Sequence, residues 1–129
     1  MPVDSAEDPR KSVGLQGEEI ALRFLKDKGY KIVDKNVRTP VGEIDIIALD
    51  MDTISFIEVK TRTNSSFGPP QVSVDIKKQK KLSRLASLYL AKKGLSQKKA
   101  RFDVVAVLLF PKQREKKIEL IKDAFELKL

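Results

Sequence analysis

The sequence predicts a single α/β domain, in which a mixed central sheet is flanked by helices and the element order is α-β-β-β-α-β. Two helix-like segments enclose a run of three strand patterns, and a nearly continuous apolar segment follows the second helix. A three-strand meander followed by a crossover helix and another strand gives both antiparallel and parallel pairs. The 129 residues suit one domain, which we place at residues 14–129 behind a flexible N-terminal segment at 1–13.

The first half of the chain predicts one helix and three strands. An apolar stripe at helical spacing runs through residues 15–28, and Gly29 ends that helix. Strand patterns follow at 30–38, 43–49 and 54–62, with turn signals between them. Because short turns join consecutive strands, we expect these three strands to pair antiparallel.

The second half predicts a long helix and a buried strand. A polar loop is expected from residue 63 to about 74, followed by Asp75 as the cap of a helix over 76–93. Residues 102–110 are almost all apolar, which is typical of a central strand buried on both faces. Residues 117–121 are interpreted as a last edge strand, and the interpretation of the tail beyond them is left open.

The composition excludes several classes of chemistry. The chain has no cysteine and no histidine, which excludes disulfides, thiol catalysis, Ser-His catalysis and the usual zinc sites. An enzyme with this composition must use carboxylates, lysines or a hard metal ion. No apolar run is long enough for a membrane helix, and residues 1–13 do not form a signal peptide. We therefore expect a cytoplasmic protein without membrane contact.

The positive charge is concentrated in one block. The net charge is +8, and no acidic residue lies between Asp75 and Asp103. That stretch holds 10 of the 26 basic residues, whereas the rest has 16 basic and 18 acidic residues, a net of −2. We predict a polyanion such as DNA or RNA as partner, although a solvated helix face explains the charge alone equally well. The predicted nucleic-acid contacts are Lys77, Lys78, Lys80, Lys81, Arg84 and Arg62.

The hairpin predicted at 43–62 brings two acidic side chains together. If its turn at 50–53 is even-numbered, the numbers of opposed residues sum to 103, which places Asp45 opposite Glu58. Directly opposed residues have Cβ atoms about 5 Å apart. Lys60 lies two residues beyond Glu58 on the same face. Two like charges on a largely apolar face are destabilising unless something compensates them.

A divalent cation would compensate the charges of Asp45 and Glu58. Mg²⁺ is typically held by one or two carboxylates and completes its shell with water and substrate phosphate. Lys60 would then orient the attacking water and neutralise charge on the phosphate. The alternative is a cross-strand patch of salt bridges in which Lys60 pairs with Glu43 or Glu58. The basic block and the apolar neighbours favour the metal site.

Three further polar residues are candidates. Glu18 and Gln79 have two interpretations each, and Asp103 has a structural one. Glu18 borders the apolar stripe of the first helix and can join the acidic pair, or it is an ordinary acidic residue of a first helical turn. Gln79 lies on the inner side of the basic helix, where it would bind a water or a phosphate, or it is a partly exposed amide. Asp103 beside Arg101 indicates a structural ion pair.

With GEEIA at 17–21 on the first helix, GEIDIIA at 42–48 and IEVK at 57–60, the chain resembles the PD-(D/E)XK nuclease superfamily, which has the restriction-endonuclease-like fold with an α-β-β-β-α-β core. More closely, it resembles the bacterial YraN family, which is similar to archaeal Holliday-junction resolvases. The similarity runs from about Gly14 to Leu109, and one departure is Ile44, which stands where the superfamily's name has proline. The matching motifs are GE at 17–18, GY at 29–30, NVR at 36–38, GEID at 42–45, FIEVK at 56–60, KQ at 78–79 and RFDVV at 101–105.

The resemblance implies roles for five of these residues. Asp45 and Glu58 would bind Mg²⁺ or Mn²⁺, and Lys60 would be catalytic. Glu18 would match the helix glutamate of the resolvases, and Gln79 the polar residue of the following helix.

From the resemblance we expect a metal-dependent endonuclease that acts on DNA, including branched or damaged DNA, with the Val59 carbonyl as a third ligand to the ion. The alternative is a non-catalytic nucleic-acid-binding module on a nuclease-like fold. A protein-interaction adaptor is a third interpretation, and its binding would be insensitive to salt. Related resolvases act as dimers, which leaves a homodimer open.

Overall fold

A five-stranded mixed sheet carries one helix on each face. The computed structural model describes residues 9–63 and 76–125. The elements are α1 Pro9–Asp27, β1 Lys31–Thr39, β2 Gly42–Asp50, β3 Thr53–Thr63, α2 Ile76–Lys92, β4 Lys99–Phe110 and β5 Glu115–Phe125. Neither of these two helices is long and apolar enough to cross a membrane.

The strands lie in the order β1-β2-β3-β4-β5. β3 and β4 pair in parallel, and the other three pairs are antiparallel. This confirms the predicted α-β-β-β-α-β core and mixed sheet. β4 is buried as predicted, but β3 is the central strand, because β5 adds a further antiparallel strand outside β4. The two edge strands, β1 and β5, each take part in a ladder with one register shift.

Two apolar clusters, one on each face of the sheet, hold the helices in place. Adjacent residues of β2 belong to different clusters, since Ile46 packs on the α1 side and Ile47 on the α2 side. This is the alternation that a strand covered on both faces requires. The buried side chains at the α1 interface include Ala21, Leu25, Ile57 and Val105, and those at the α2 interface include Phe56, Leu85, Ala86 and Phe102.

Several elements are longer than predicted. α1 takes in residues 9–13 of the segment that we expected to be flexible, and Val13 packs against the α1-side cluster. β4 begins at Lys99 because its parallel ladder with β3 starts at the pair Thr53–Lys99. β5 also extends beyond 117–121, where exposed lysines interrupt the apolar pattern. The predicted polar loop, except its first residue, and the cap at Asp75 lie outside the described residues.

Gly17 determines how closely α1 can lie on β3. A Cβ atom at this position would be 1.8 Å from Oγ1 and 2.7 Å from Cβ of Thr61. We expect Gly17→Ala to lower the free energy of unfolding by about 1–3 kcal/mol, because the helix or the strand must shift. Gly14→Ala in the same helix is the control, since its Cβ meets nothing within 4 Å and alanine favours helix by up to about 1 kcal/mol. Equal losses in urea denaturation would contradict this explanation.

A buried carboxylate ties β4 to β3 and β5. Asp103 is 1% exposed and accepts hydrogen bonds from Nε of Arg101 at 3.0 Å, Oγ of Ser55 at 2.5 Å and the backbone N–H of Asp123 at 2.8 Å. The predicted structural ion pair between Arg101 and Asp103 is therefore confirmed. Ser55 and the backbone N–H of Asp123 donate to carboxylate oxygens of Asp103 that burial would otherwise leave without partners.

Arg101 also stabilises the ionised form of Asp50. Its Nη2 donates to Oδ2 of Asp50 at 2.6 Å, and Nζ of Lys122 lies 3.3 Å from the same oxygen. The Arg101 hydrogen bond lowers the pKa of Asp50, although partial burial opposes this and Lys122 adds to it. A carboxyl with a lowered folded pKa contributes stability that is present above its unfolded pKa and lost as the pH falls through the folded value.

The stability difference between the wild type and Asp50→Asn should therefore depend on pH. We expect the wild type to be more stable at about pH 6, and the difference to shrink as the pH falls below about 4, the unfolded pKa of aspartate. Urea denaturation at a series of pH values measures this. Asp52→Asn, at an exposed carboxylate 3.7 Å from Lys99, is the control and should show little difference throughout. A pH-independent effect of Asp50→Asn would contradict the assignment.

Candidate metal centre and nucleic-acid interface

The hairpin of β2 and β3 has the register that the sequence predicts, with opposed residue numbers summing to 103. The last pair of this ladder is Ile46–Ile57, directly before the positions of Asp45 and Glu58. Beyond that pair, Oδ2 of Asp45 accepts a hydrogen bond from the backbone N–H of Val59 at 2.9 Å. The side-chain carboxylate of Asp45 therefore accepts a hydrogen bond at the end of the ladder, where a backbone carbonyl would otherwise accept it.

The carboxylate of Asp45 is half-buried among other acidic groups. Burial raises its pKa, the hydrogen bond from Val59 opposes this rise, and the charges of Glu58 and Glu43 add to it. The surrounding protein groups thus disfavour the ionised form of Asp45. A cation beside this carboxylate would reverse that preference.

Glu18 of α1 joins Asp45 and Glu43 in one acidic cluster. One carboxylate oxygen from each of the three residues lies within 4.8 Å of the others. Burial raises the pKa of Glu18, and the neighbouring charges of Asp45 and Glu43 raise it further. The structure therefore places Glu18, which is distant in sequence, beside Asp45, as expected if it joins the acidic residues of the hairpin.

Glu43 is the member of this cluster that sequence reasoning missed, because it was considered only as a salt-bridge partner of Lys60. In the structure its carboxylate lies 3.5 Å from Nε of Arg38 on β1. Glu43 precedes Asp45 by two residues on the same strand, and that spacing could have indicated a shared face.

Glu58 lines the same cavity as Asp45, with a volume of about 90 Å³. Its Oε1 accepts a hydrogen bond from Nζ of Lys78 of α2 and lies 3.6 Å from Nζ of Lys60. Its Oε2 is buried and has no hydrogen-bond partner among residues 9–63 and 76–125. A buried carboxylate oxygen without a partner is costly, and it is an available ligand for a hard cation.

Lys60 forms an ion pair with Glu58, one of the two partners, Glu43 and Glu58, that the salt-bridge alternative predicted. Its ammonium group lies beside Glu58, whereas Glu43 faces Arg38. The side chain of Lys60 is 36% exposed, so its ammonium group is open to solvent. The catalytic role of Lys60 remains a prediction.

Lys78 is the partner of Glu58 that sequence reasoning did not identify. It precedes the buried Leu82 by four residues, so it lies one turn before Leu82 on the inner face of α2. Burial opposes its protonation, but the hydrogen bond to Glu58 and the charge of Glu58 raise the pKa of Lys78. Gln79 is half-buried on the same helix, and the described residues that line the Asp45–Glu58 cavity do not include it.

The remaining predicted nucleic-acid contacts lie on the protein surface. They are exposed on α2 at Lys77, Lys80, Lys81 and Arg84, and on β3 at Arg62. A second cavity of about 310 Å³ lies between Gly42 and the lysines at 77, 78 and 81. It shares Glu43 and Lys78 with the Asp45–Glu58 cavity, so the basic face of α2 adjoins the carboxylates.

The fold and this site define an α/β domain with a carboxylate cluster at the end of a hairpin ladder and a basic helix beside it. The chain belongs to the Uncharacterised protein family UPF0102, whose model matches residues 17–107. The predicted bacterial family is thereby confirmed.

Relatives from three bacteria match almost the whole chain, and each is called UPF0102 protein. The protein of Geotalea uraniireducens is 54% identical over 120 residues, which cover 91% of both chains. That of Desulfosudis oleivorans is 49% identical over 120 residues, covering 93% of this chain and 94% of its own. That of Moorella thermoacetica is 48% identical over 116 residues, covering 90% and 97%.

Proposed function

We propose that this protein is a cytoplasmic endonuclease of the PD-(D/E)XK superfamily that hydrolyses phosphodiester bonds in DNA, including branched or damaged DNA, with Mg²⁺ or Mn²⁺. One observation carries the proposal. Oε2 of Glu58 is buried without a hydrogen-bond partner among the described residues, in a cavity that Asp45 also lines. A basic helix face adjoins this cavity and supplies charges for a phosphate backbone.

The donor set suits a hard divalent cation. Asp45, Glu58 and the Val59 carbonyl would hold it, and all three offer oxygen atoms, which Mg²⁺ and Mn²⁺ prefer. Glu18 and Glu43 add negative charge nearby. When bound, the cation would supply a water of lowered pKa and neutralise charge on the phosphate.

The chain's own groups prepare the site before substrate arrives. The backbone N–H of Val59 fixes the carboxylate of Asp45, so its orientation needs little reorganisation during the reaction. The ammonium group of Lys60 would stabilise negative charge that develops on the phosphate in the transition state. The exposed lysines of α2 would bind flanking phosphates and hold the strand in position.

A panel of labelled DNA substrates tests the proposal. Duplex, flap, four-way and single-stranded DNA, together with matched RNA, are incubated with Mg²⁺, with Mn²⁺ and with a chelator. We expect cleavage of at least one DNA form that requires a divalent cation. Cleavage that persists in the chelator would refute the metal-dependent mechanism.

A non-catalytic nucleic-acid-binding module is the second candidate, and the ion pair between Lys78 and Glu58 favours it, because it already neutralises one predicted ligand. Calorimetric titration with Mn²⁺ separates the two candidates. The nuclease should show a site that Asp45→Asn and Glu58→Gln abolish. A protein without such a site, but with salt-sensitive DNA binding, would be the binding module.

A further inference from the structure

Lys78 is paired with Oε1 of Glu58, the carboxylate whose other oxygen, Oε2, is available to a metal ion. We propose that Lys78 is a displaceable counterion, which neutralises Glu58 in the metal-free protein and moves to a nucleic-acid phosphate when a divalent cation binds. This inference rests on the proposed function, because it assumes that Glu58 is a metal ligand. It assigns Lys78 a role in coupling metal binding to nucleic-acid binding.

The position of Lys78 gives its ammonium group two destinations. The residue lines the cavity of Asp45 and Glu58, and it also lines the adjoining cavity with Lys77 and Lys81. A lysine side chain has a flexible four-carbon stem and three rotatable donors, so a change of rotamer can carry the charge between neighbouring sites. In the structure the ammonium group is at Glu58.

Electrostatics determines which destination is favoured. Oε1 of Glu58 already has Lys78 as a hydrogen-bonded partner, and Nζ of Lys60 is 3.6 Å from it. A divalent cation at this carboxylate would repel an ammonium group within a few ångströms and would replace it as the counterion. Cation binding therefore releases Lys78 from Glu58.

A phosphate bound in the adjoining cavity would attract the released charge. It is lined by Lys77 and Lys81, and a phosphate bound there would gain a third cation. Gly42 also lines this cavity, and a Cβ at this position would be 3.1 Å from Cε of Lys81, so a side chain there would crowd the lysine. Because one cation frees a group that binds the other ligand, metal and nucleic acid should each strengthen the binding of the other.

Calorimetric titration with Mn²⁺ in the absence of DNA is the first test. Lys78→Gln should bind Mn²⁺ roughly tenfold more tightly than the wild type, because the ion no longer displaces a competing charge. Lys80→Gln, which removes an exposed lysine two residues away on α2, is the control and should change the affinity less than about twofold. Unchanged or weaker Mn²⁺ binding by Lys78→Gln would overturn the inference.

The salt dependence of duplex binding is the second test, measured in a Lys60→Ala background to prevent cleavage. With Mn²⁺, the slope of log K against log salt should be steeper by about 0.9 when Lys78 is present than in Lys78→Gln. With a chelator, the two slopes should be equal, because Lys78 remains at Glu58. Equal slopes in Mn²⁺ would overturn the inference.

The results distinguish this inference from the proposed function. If the wild type has no Mn²⁺ site that depends on Asp45 and Glu58, both fail together. If that site exists but Lys78→Gln binds Mn²⁺ like the wild type, only the inference fails. Lys78→Met keeps the apolar stem of the side chain and serves as a second variant, with thermal melting to verify that each protein is folded.

Discussion

Asp45→Asn and Glu58→Gln are each expected to reduce cation-dependent DNA cleavage by roughly a thousandfold or more. Both substitutions keep the side-chain shape but remove a charged oxygen ligand, and losing cation stabilisation costs several kcal/mol of transition-state energy. Initial rates on the best DNA substrate, measured with Mg²⁺ and with Mn²⁺, give the effect. Asp52→Asn replaces an aspartate in the turn between β2 and β3 that is 70% exposed, and it should retain the wild-type rate.

DNA binding should survive these two substitutions, because the lysines of α2 supply the phosphate contacts. Asp45→Asn should also leave the stability of the metal-free protein unchanged or increase it. The raised pKa of Asp45 shows that its negative charge is disfavoured in the folded state, so a neutral amide relieves that cost at neutral pH. Cleavage at the wild-type rate by either variant would refute the assignment of the metal ligands.

Asp103→Ala should have the largest effect on stability, with a loss of about 3–5 kcal/mol in the free energy of unfolding. The substitution leaves the largely buried guanidinium of Arg101 without one carboxylate partner and removes the acceptor of Ser55, which is 0% exposed. Urea denaturation monitored by circular dichroism measures the loss. A loss of this size would show that the fold depends on a carboxylate outside the predicted metal ligands.

Asp52→Ala is the matched control for Asp103→Ala, because it also removes an aspartate from an ion pair with a basic residue. The carboxylate of Asp52 lies 3.7 Å from Lys99, and both side chains are at least 70% exposed. Its loss should cost no more than about 1 kcal/mol. Similar losses in the two variants would show that burial of Asp103 does not determine its contribution.

Local patterns in the sequence predicted the fold well, because most elements bury a face with regular spacing. The register of the β2–β3 hairpin followed from taking its short turn as even-numbered. The ends of β4 and β5 were harder to predict from the sequence. Lys99 and the lysines of β5 are exposed and join the sheet through backbone hydrogen bonds. Hydrophobic periodicity carries no signal for such residues.

The candidate site was predicted in part. The contacts that were not predicted depend on how the helices pack against the sheet. Asp45 and Glu58 could be brought together because both belong to one hairpin. The contact of Lys78 with Glu58 depends on how α2 packs against β3, and the approach of Glu18 depends on the close packing of α1 at Gly17. Neither packing distance can be read from the spacing of residues in one element.

The edges of the sheet also constrain how two copies of this protein can associate. β1 and β5 each belong to a ladder with a register shift, and β5 presents exposed lysines at 116, 117 and 122. Irregular edges that carry lysines oppose the addition of a strand from another molecule. Their backbone donors and acceptors do not match the spacing of a regular strand, and the ammonium groups of the two copies would repel each other. Addition of a strand from a second copy at either edge is therefore disfavoured, and the domain should resist fibril formation.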